Sequence, residues 1–387
     1  MIHPERLAET FKALAQTSSP SKREGRLAAD LRFRLEALGA DTWIDGSAAA
    51  TGSDTGNLIA RWGGKGPVPP LLLCAHMDTV GPAENIRVRF ADGVFTSDGT
   101  TILGADDKSA IAAVLEALQV VREQGIACGP LELVFTTCEE IGLAGAKNLD
   151  YSRIESRFGY ALDASDTEGI ITRSPSSNNF EIRVIGRDAH AGAHPEKGIN
   201  AIHFAAKAMA GLAIGRIDRE TTCNIGVIEG GTATNIVPHL VKLRGEARSH
   251  DEGKLERVTR GILEAFERTA SEHRNAEASD GLPRVESAVH RSYHRTRVPE
   301  DHPLVCLAMR AAANLGRPMK TKISGGGSDA NIFFEKGIPL GILGTGMREV
   351  HTTREYVKLE EMVRATELLV EIIRLHATSA SFIALGK

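Results

Sequence analysis

Four acids and two histidines stand at the ends of short apolar runs. His76 and Asp78 follow LLLCA, Glu139 and Glu140 follow LVFTTC, Asp163 follows FGYAL, and His351 follows GILGTGMREV. Imidazole and carboxylate donors with no thiolate pair suit a divalent cation, zinc first, with manganese or cobalt as alternative occupants. That much negative charge packed together without a counter-ion would raise several carboxyl pKa values and weaken the fold, so a cation is the economical reading. The candidate ligands outnumber what one catalytic ion needs if it is to keep a position open, which points to two ions sharing a bridging carboxylate. Charge agrees: Asp106, Asp163 and Glu140 with one hydroxide balance two divalent ions when His76 and His351 are neutral. Asp78, two residues beyond His76, is placed to accept the other imidazole N–H. Glu139, beside a ligand but not needed as one, is left as general base.

The stretch GADDKSAIAAVLEALQVV places Asp106 and Asp107 where a loop becomes a helix. Acids are favoured there as caps and beside the positive end of the helix dipole, so the spacing alone leaves capping and metal ligation both open.

The elements that must position these residues are legible as a pattern. LLLCAH, LELVFTTCEE and RFGYALDAS are continuous apolar runs, the first two separated by the helix after Asp107. Such runs belong to a mostly parallel sheet covered on both faces, and open α/β sheets place ligand sites at the carboxyl ends of their strands. Upstream, Ser21 and Glu24 stand at capping-box spacing ahead of an amphipathic helix. From about Asn178 the pattern changes to strand, helix, two strands, helix and strand. The fold class is therefore α/β: a catalytic domain over 1–171 and 291–387 with a mostly parallel sheet, and an inserted, smaller α+β module (βαββαβ) over 172–290.

Composition narrows the partners. A net charge of −4 with no basic run gives no footprint for nucleic acid or an acidic membrane surface. No apolar stretch approaches spanning length and the amino-terminal segment is amphipathic, so neither a membrane span nor an export signal is expected. Five scattered cysteines without a CxxC pair fit a reducing, cytoplasmic setting.

In order along the chain, CAHMDTV, GADDKSA, TTCEEIG, LDAS, AHAGAHPEKGINAI and VHTTREY resemble the M20 family of dinuclear zinc peptidases and deacylases. SGGGSDANIF followed by HTTREYV resembles its peptidase T-like branch. The resemblance implies that His76 and Asp163 hold one zinc, Glu140 and His351 the other, and that Asp106 bridges them across a cis Asp106–Asp107 peptide. Asp107 keeps the capping reading. It implies further that His190 reaches the substrate carbonyl oxygen, usually from the partner of a homodimer formed through the inserted domain. Asn235 and Arg248 match positions that hold the substrate backbone or carboxylate. Gly326 and Gly327 read as a wall that lets a peptide backbone approach closely. The implied activity is a zinc-dependent aminopeptidase acting on short peptides, with Glu139, Asp78 and His190 as the catalytic set. An N-acyl-amino-acid deacylase using the same site is the alternative enzyme, and a non-catalytic metal-binding dimer is the alternative outside catalysis. Peptidase T carries an arginine just before the paired glycines, where this chain has Ser324 and Gly325, which puts tripeptide specificity in question.

Overall fold

The structure, a computed structural model, describes residues 1–64, 68–276 and 280–378. It divides into two compact units: Met1–Arg173, Thr296–Ser324 and Ser328–Lys387 form one, and Ser174–Arg295 with Gly325–Gly327 forms the other.

The first unit is built on a nine-stranded sheet. Its centre is parallel: Leu71–His76 lies between Leu131–Thr136 and Gly159–Ala164, and Leu340–Gly344 continues beyond the last of these. Antiparallel strands finish the flanks, Leu58–Trp62 and Asp41–Ile44 on one side and Gly169–Ser174 on the other. Leu71–His76 and Leu131–Thr136 are buried at every position, as strands covered on both faces must be. Within that run the Glu132 carboxylate is satisfied by the backbone N–H groups of Glu155 and Ser156 and by the Ser156 hydroxyl.

The helix Ala105–Glu123 is the centre of the core, with every residue from Ala105 to Leu118 buried. A helix apolar on all sides belongs inside, and its alanines let neighbours approach closely. Helices Pro4–Gln16 and Leu359–Thr378 pack on it, the first through Leu7, Phe11 and Leu14. The helix Gly25–Ala37 begins without any side-chain cap, so the capping box expected from Ser21 and Glu24 does not form. Both side chains are engaged elsewhere, as described below.

The second unit carries a five-stranded antiparallel sheet in the order Gly215–Asp218, Thr221–Gly230, Leu240–Ser249, Ser176–Ile185, Arg284–Tyr293. Phe180, Ile182 and Val184 alternate into a core shared with Val241, Ala205 and Phe266, the last two from the helices Ala201–Ala210 and Glu252–Ala276. One strand exceeds the expected pattern: Gly215–Asp218 spans four residues, too few to show alternation in the sequence. The α/β class, with a largely parallel sheet and a separate α+β module, is the observed architecture. No helix among the described residues is long and apolar enough to cross a membrane.

Candidate active site

The parallel strands end at one edge of the sheet, and each delivers acids or an imidazole there. His76 is the last residue of its strand, and its Nε2 lies 3.0 Å from Asp106 Oδ1. The other oxygen of Asp106, Oδ2, lies 3.2 Å from His351 Nε2, which is also 2.9 Å from Glu140 Oε1. Donor atoms of His76, Asp106 and Glu140 fall within 4.8 Å of one another. Asp163 stands outside that group of three. It lines an adjoining cavity of about 10 Å³ together with Cys74, His76, Asp107, Glu139 and Asp329.

The loop carrying Asp106 is held from a distance. Gly104 adopts a left-handed conformation (φ 77°), and Asp106 and Asp107 are themselves non-helical, with a cis peptide between them. The carboxylate of Glu355 accepts from the backbone N–H groups of Leu103, Gly104 and Asp106 at 2.7, 2.7 and 3.0 Å. Asp107 does not cap the helix. It is fully buried, and its Oδ2 accepts from the backbone N–H of His76 at 3.2 Å, tying helix start to strand end. Although the regular helix begins just after Asp107, where a cap would stand, Oδ2 is taken by the His76 amide and Oδ1 accepts no hydrogen bond among the described residues. Lys108, equally buried, donates to the Thr17 carbonyl and is pushed down to about 7 by burial.

The turn after Leu131–Thr136 presents Glu139 and Glu140. Their backbone N–H groups donate to Asp78 Oδ1 and Oδ2 at 2.8 and 3.2 Å. Asp78 also accepts from the Ser21 hydroxyl at 2.6 Å. The nearest acceptor to His76 Nδ1 is the Asp78 carbonyl at 2.9 Å, with the Asp78 carboxylate at 3.6 Å. Asp78 thus braces the imidazole chiefly through its backbone and the glutamate turn through its side chain. Either contact leaves Nε2 facing Asp106.

These groups shift one another strongly. Burial pushes the carboxyls of Glu139, Asp163 and Asp107 well above their ordinary range, and neighbouring acids reinforce all three. Burial works against the charged form of His76 as well, but hydrogen bonds to Asp106 and Asp78 outweigh it and hold the imidazole well above its usual value. His351 is pushed up to about 10 by its bonds to Asp106 and Glu140. Asp106 is held far below the ordinary carboxylate range by the two imidazoles despite its burial. A carboxylate with one oxygen toward each of two imidazoles, flanked by further acids, is a donor set that fits divalent cations. Cations would have to displace the protons now shared across it. Zinc added to the metal-free protein near pH 7.5 is therefore expected to release about one to two protons per chain, read as acidification of a weak buffer, with affinity rising as pH rises. Zinc binding without proton release would overturn this electrostatic account.

The remaining sequence candidates lie in the second unit. The backbone N–H groups of Gly192 and Ala193 donate to His190 Nδ1 at 3.2 and 3.1 Å. A neutral imidazole bonded this way carries its proton on Nε2, leaving an exposed donor. Asn235 is exposed, and its carbonyl accepts from the Ala191 N–H at 2.9 Å, which places it beside the His190 loop. Arg248 pairs with Glu246 at 2.9 Å, and its Nε is buried without a hydrogen bond. In the Gly326–Gly327 segment, a Cβ on Gly327 would come within 2.3 Å of the Tyr293 ring. Close packing on that ring is reason enough for glycine there.

Sequence reasoning missed Glu355 and Asp329. Glu355 lies four residues beyond His351 in HTTREY, in a motif from which only His351 was given a role. Asp329, in GSDA, read as part of a glycine-rich wall. Its Oδ2 accepts from the Thr136 hydroxyl, while burial pushes its carboxyl up to about 6.

The chain is similar to known proteins along nearly its whole length. Residues 72–375 match the model of peptidase family M20/M25/M40. The chain is 40% identical over 374 residues to the uncharacterized protein YqjE of Bacillus subtilis (strain 168), spanning 96% of this chain and 99% of that one. Among solved structures it is similar to the aminopeptidase PepT from Bacillus cereus ATCC 10987, with 41% identity, a TM-score of 0.86, and coverage of 97% of this chain and 100% of that one. It is also similar to a tripeptidase from Staphylococcus aureus subsp. aureus Mu50, with 40% identity, a TM-score of 0.91, and coverage of 98% and 100%.

Proposed function

Since this chain belongs to the peptidase family M20/M25/M40, we propose that it is a two-zinc exopeptidase of the peptidase T type, cleaving residues from the amino end of short peptides. The observation that carries the reading is the Asp106 carboxylate, one oxygen on His76 and the other on His351, with Glu140 beside it. His76, Asp106, Asp163, Glu140 and His351 would hold the ions, with Asp106 shared. Bound there, two divalent cations would lower the pKa of the attacking water and polarise the scissile carbonyl.

The chain's own residues supply the proton handling. Glu139, buried at the edge of the site with a raised pKa, takes the proton from the water and returns it to the leaving amine. Asp78 keeps the Glu139–Glu140 turn and His76 in place. His190, through Nε2–H, donates to the oxyanion that develops on the substrate carbonyl. Asn235 and Arg248 hold the substrate's polar ends, Arg248 through its guanidinium, which now pairs with Glu246. Incubating the zinc-loaded protein with matched dipeptides, tripeptides and N-acyl amino acids, and identifying products by mass spectrometry, tests the assignment. Release of amino-terminal residues is expected. Release from N-acyl amino acids alone would replace it with a deacylase, and no release from any class would leave a metal-binding dimer.

The His190 role carries its own test. His190→Ala is expected to lower kcat by about 10²–10³, the loss typical of one oxyanion donor. If His190 acts across a homodimer formed by the inserted unit, mixing this variant with Glu139→Ala chains restores activity, because each mixed dimer keeps one complete site. Mixed dimers that form and stay inactive would place His190 in its own subunit's site or outside catalysis.

A further inference from the structure

Four consecutive backbone N–H groups follow the strand Leu131–Thr136, and every one is taken by the side chain of a fully buried polar residue. Thr137 donates to Asn57 Oδ1 at 3.0 Å, Cys138 to Glu24 Oε1 at 2.9 Å, and Glu139 and Glu140 to the two oxygens of Asp78. Asn57, Glu24 and Asp78 each have 0% of their surface exposed. They come from three separate stretches of chain. Asn57 is locked in orientation because its amide donates to Asp45 and to the Gly145 carbonyl. Glu24 is the most heavily engaged: its Oε1 also accepts from the Lys22 N–H at 3.0 Å and lies 3.4 Å from the Cys138 thiol, and its Oε2 accepts from the Ser53 hydroxyl.

The residue that Glu24 holds is the one that needs holding. Cys138 has φ 54°, a left-handed conformation uncommon for a residue with a Cβ, and it is fully buried. Cys138 stands two residues past the end of the strand, where the chain turns. Immediately after it, adjacent glutamates go to different neighbours: Glu139 lines the cavity with His76 and Asp163, while Glu140 meets His351. The Glu24 carboxylate oxygen accepts from the Cys138 N–H at 2.9 Å, and that contact fixes the orientation of the peptide from which the two glutamates follow.

We propose that Glu24 is a positioning residue for hydrolysis: its buried carboxylate, acting through the Cys138 peptide, sets the directions in which Glu139 and Glu140 leave the strand. The kinetic part rests on the peptidase reading, whereas the metal-binding part does not. Displacements near 1 Å at a reacting group cost about 10²-fold in rate, and loss of a group that orients a metal ligand costs about 10–100-fold in metal affinity.

The test compares Glu24→Ala and Glu24→Gln with the wild-type protein. It reads zinc affinity by competition with a chelating indicator, folding by circular dichroism and thermal melting, and kcat and KM on the best peptide substrate. Glu24→Ala is expected to lower kcat about 10²-fold with KM changed less than about threefold, and to weaken zinc binding at least about tenfold. Glu24→Gln is expected to restore both to within about fivefold, because its carbonyl still accepts from Cys138 and Lys22 while its amide donates to Ser53. A folded Glu24→Ala protein with wild-type kcat and zinc affinity, merely melting lower, would overturn the proposal. A Gln variant as damaged as Ala would also overturn it, since charge and not bond geometry would then matter. Should the Ala variant fail to fold, Glu24→Asp, which draws the carboxylate back by about 1.5 Å, must show the same kcat and zinc losses in part, and wild-type values there would refute the proposal. If the wild-type protein hydrolyses no peptide, the peptidase reading fails while the zinc measurements still decide the role of Glu24.

Discussion

Glu139→Gln is expected to lower turnover by about 10⁴-fold, the upper end of what general acid–base catalysis contributes, while zinc content stays at the wild-type level. The size follows from the residue serving twice, first toward the attacking water and then toward the leaving amine. Retention of zinc follows from the assigned role, in which Glu139 handles the proton and holds neither ion. Glutamine keeps the volume and the backbone bond to Asp78, so the Glu139–Glu140 turn is undisturbed. The neighbouring change Glu140→Gln separates the two roles, because it should lower bound zinc and rate together. Metal analysis with single-turnover kinetics on both variants is decisive. Zinc lost from Glu139→Gln, or zinc fully retained by Glu140→Gln at wild-type rate, would reverse the assignment of the pair.

Removing metal with a chelator is expected to abolish hydrolysis completely while far-UV circular dichroism is unchanged. The fold is expected to stand without an ion, because the helix Ala105–Glu123 is buried in a large apolar core of helices and strands. Without metal, the acids share protons with His76 and His351 and remain compatible with the folded chain. That compensation has a pH signature. His351 titrates near 6.5 when unfolded and about 10 when folded, so its contribution to stability is complete below about 6.5 and lost as pH rises through about 10. The raised carboxyls of Glu139 and Asp163 act in the same direction, since the folded state binds more protons than the unfolded one. Lys108, pushed down to about 7 by burial, works the other way across this range and offsets His351, but His76 is raised as well, so the melting temperature of the metal-free protein should still fall between about pH 6.5 and 10, and zinc should flatten that fall. Melting curves with and without chelator measure it. Collapse of secondary structure on chelation, or a metal-free melting temperature that rises over this range, would contradict the prediction.

Much of this architecture could be read directly from residue order. The apolar runs ending at His76, Thr136 and Ala164 announced buried strands because charged residues interrupt them only at Glu132, which is met by the Glu155–Ser156 segment and Arg61, and at Asp163, next to the strand end. Parallel strands end on one edge, so acids and imidazoles placed just after them converge without any knowledge of side-chain geometry. Hence His76, Glu140 and His351 could be named from type and position, Asp106 needed the family resemblance to choose ligand over cap, and the structure brings those four into contact. Glu24, Asn57 and Glu355 could not be named. Ser21 and Glu24 have the spacing of a capping box, and local spacing cannot show that a carboxylate will instead meet an amide 114 positions away. Asp107 was misread for the same reason: an acid at a helix start is a cap by propensity, and only burial against the His76 amide turns it inward. Residue types and their order along the chain determined the chemistry at the sheet edge. Which buried side chain satisfies each backbone N–H of the turn and loop that carry it was decided by the tertiary structure alone, because a buried amide takes whichever oxygen the packed chain brings within reach.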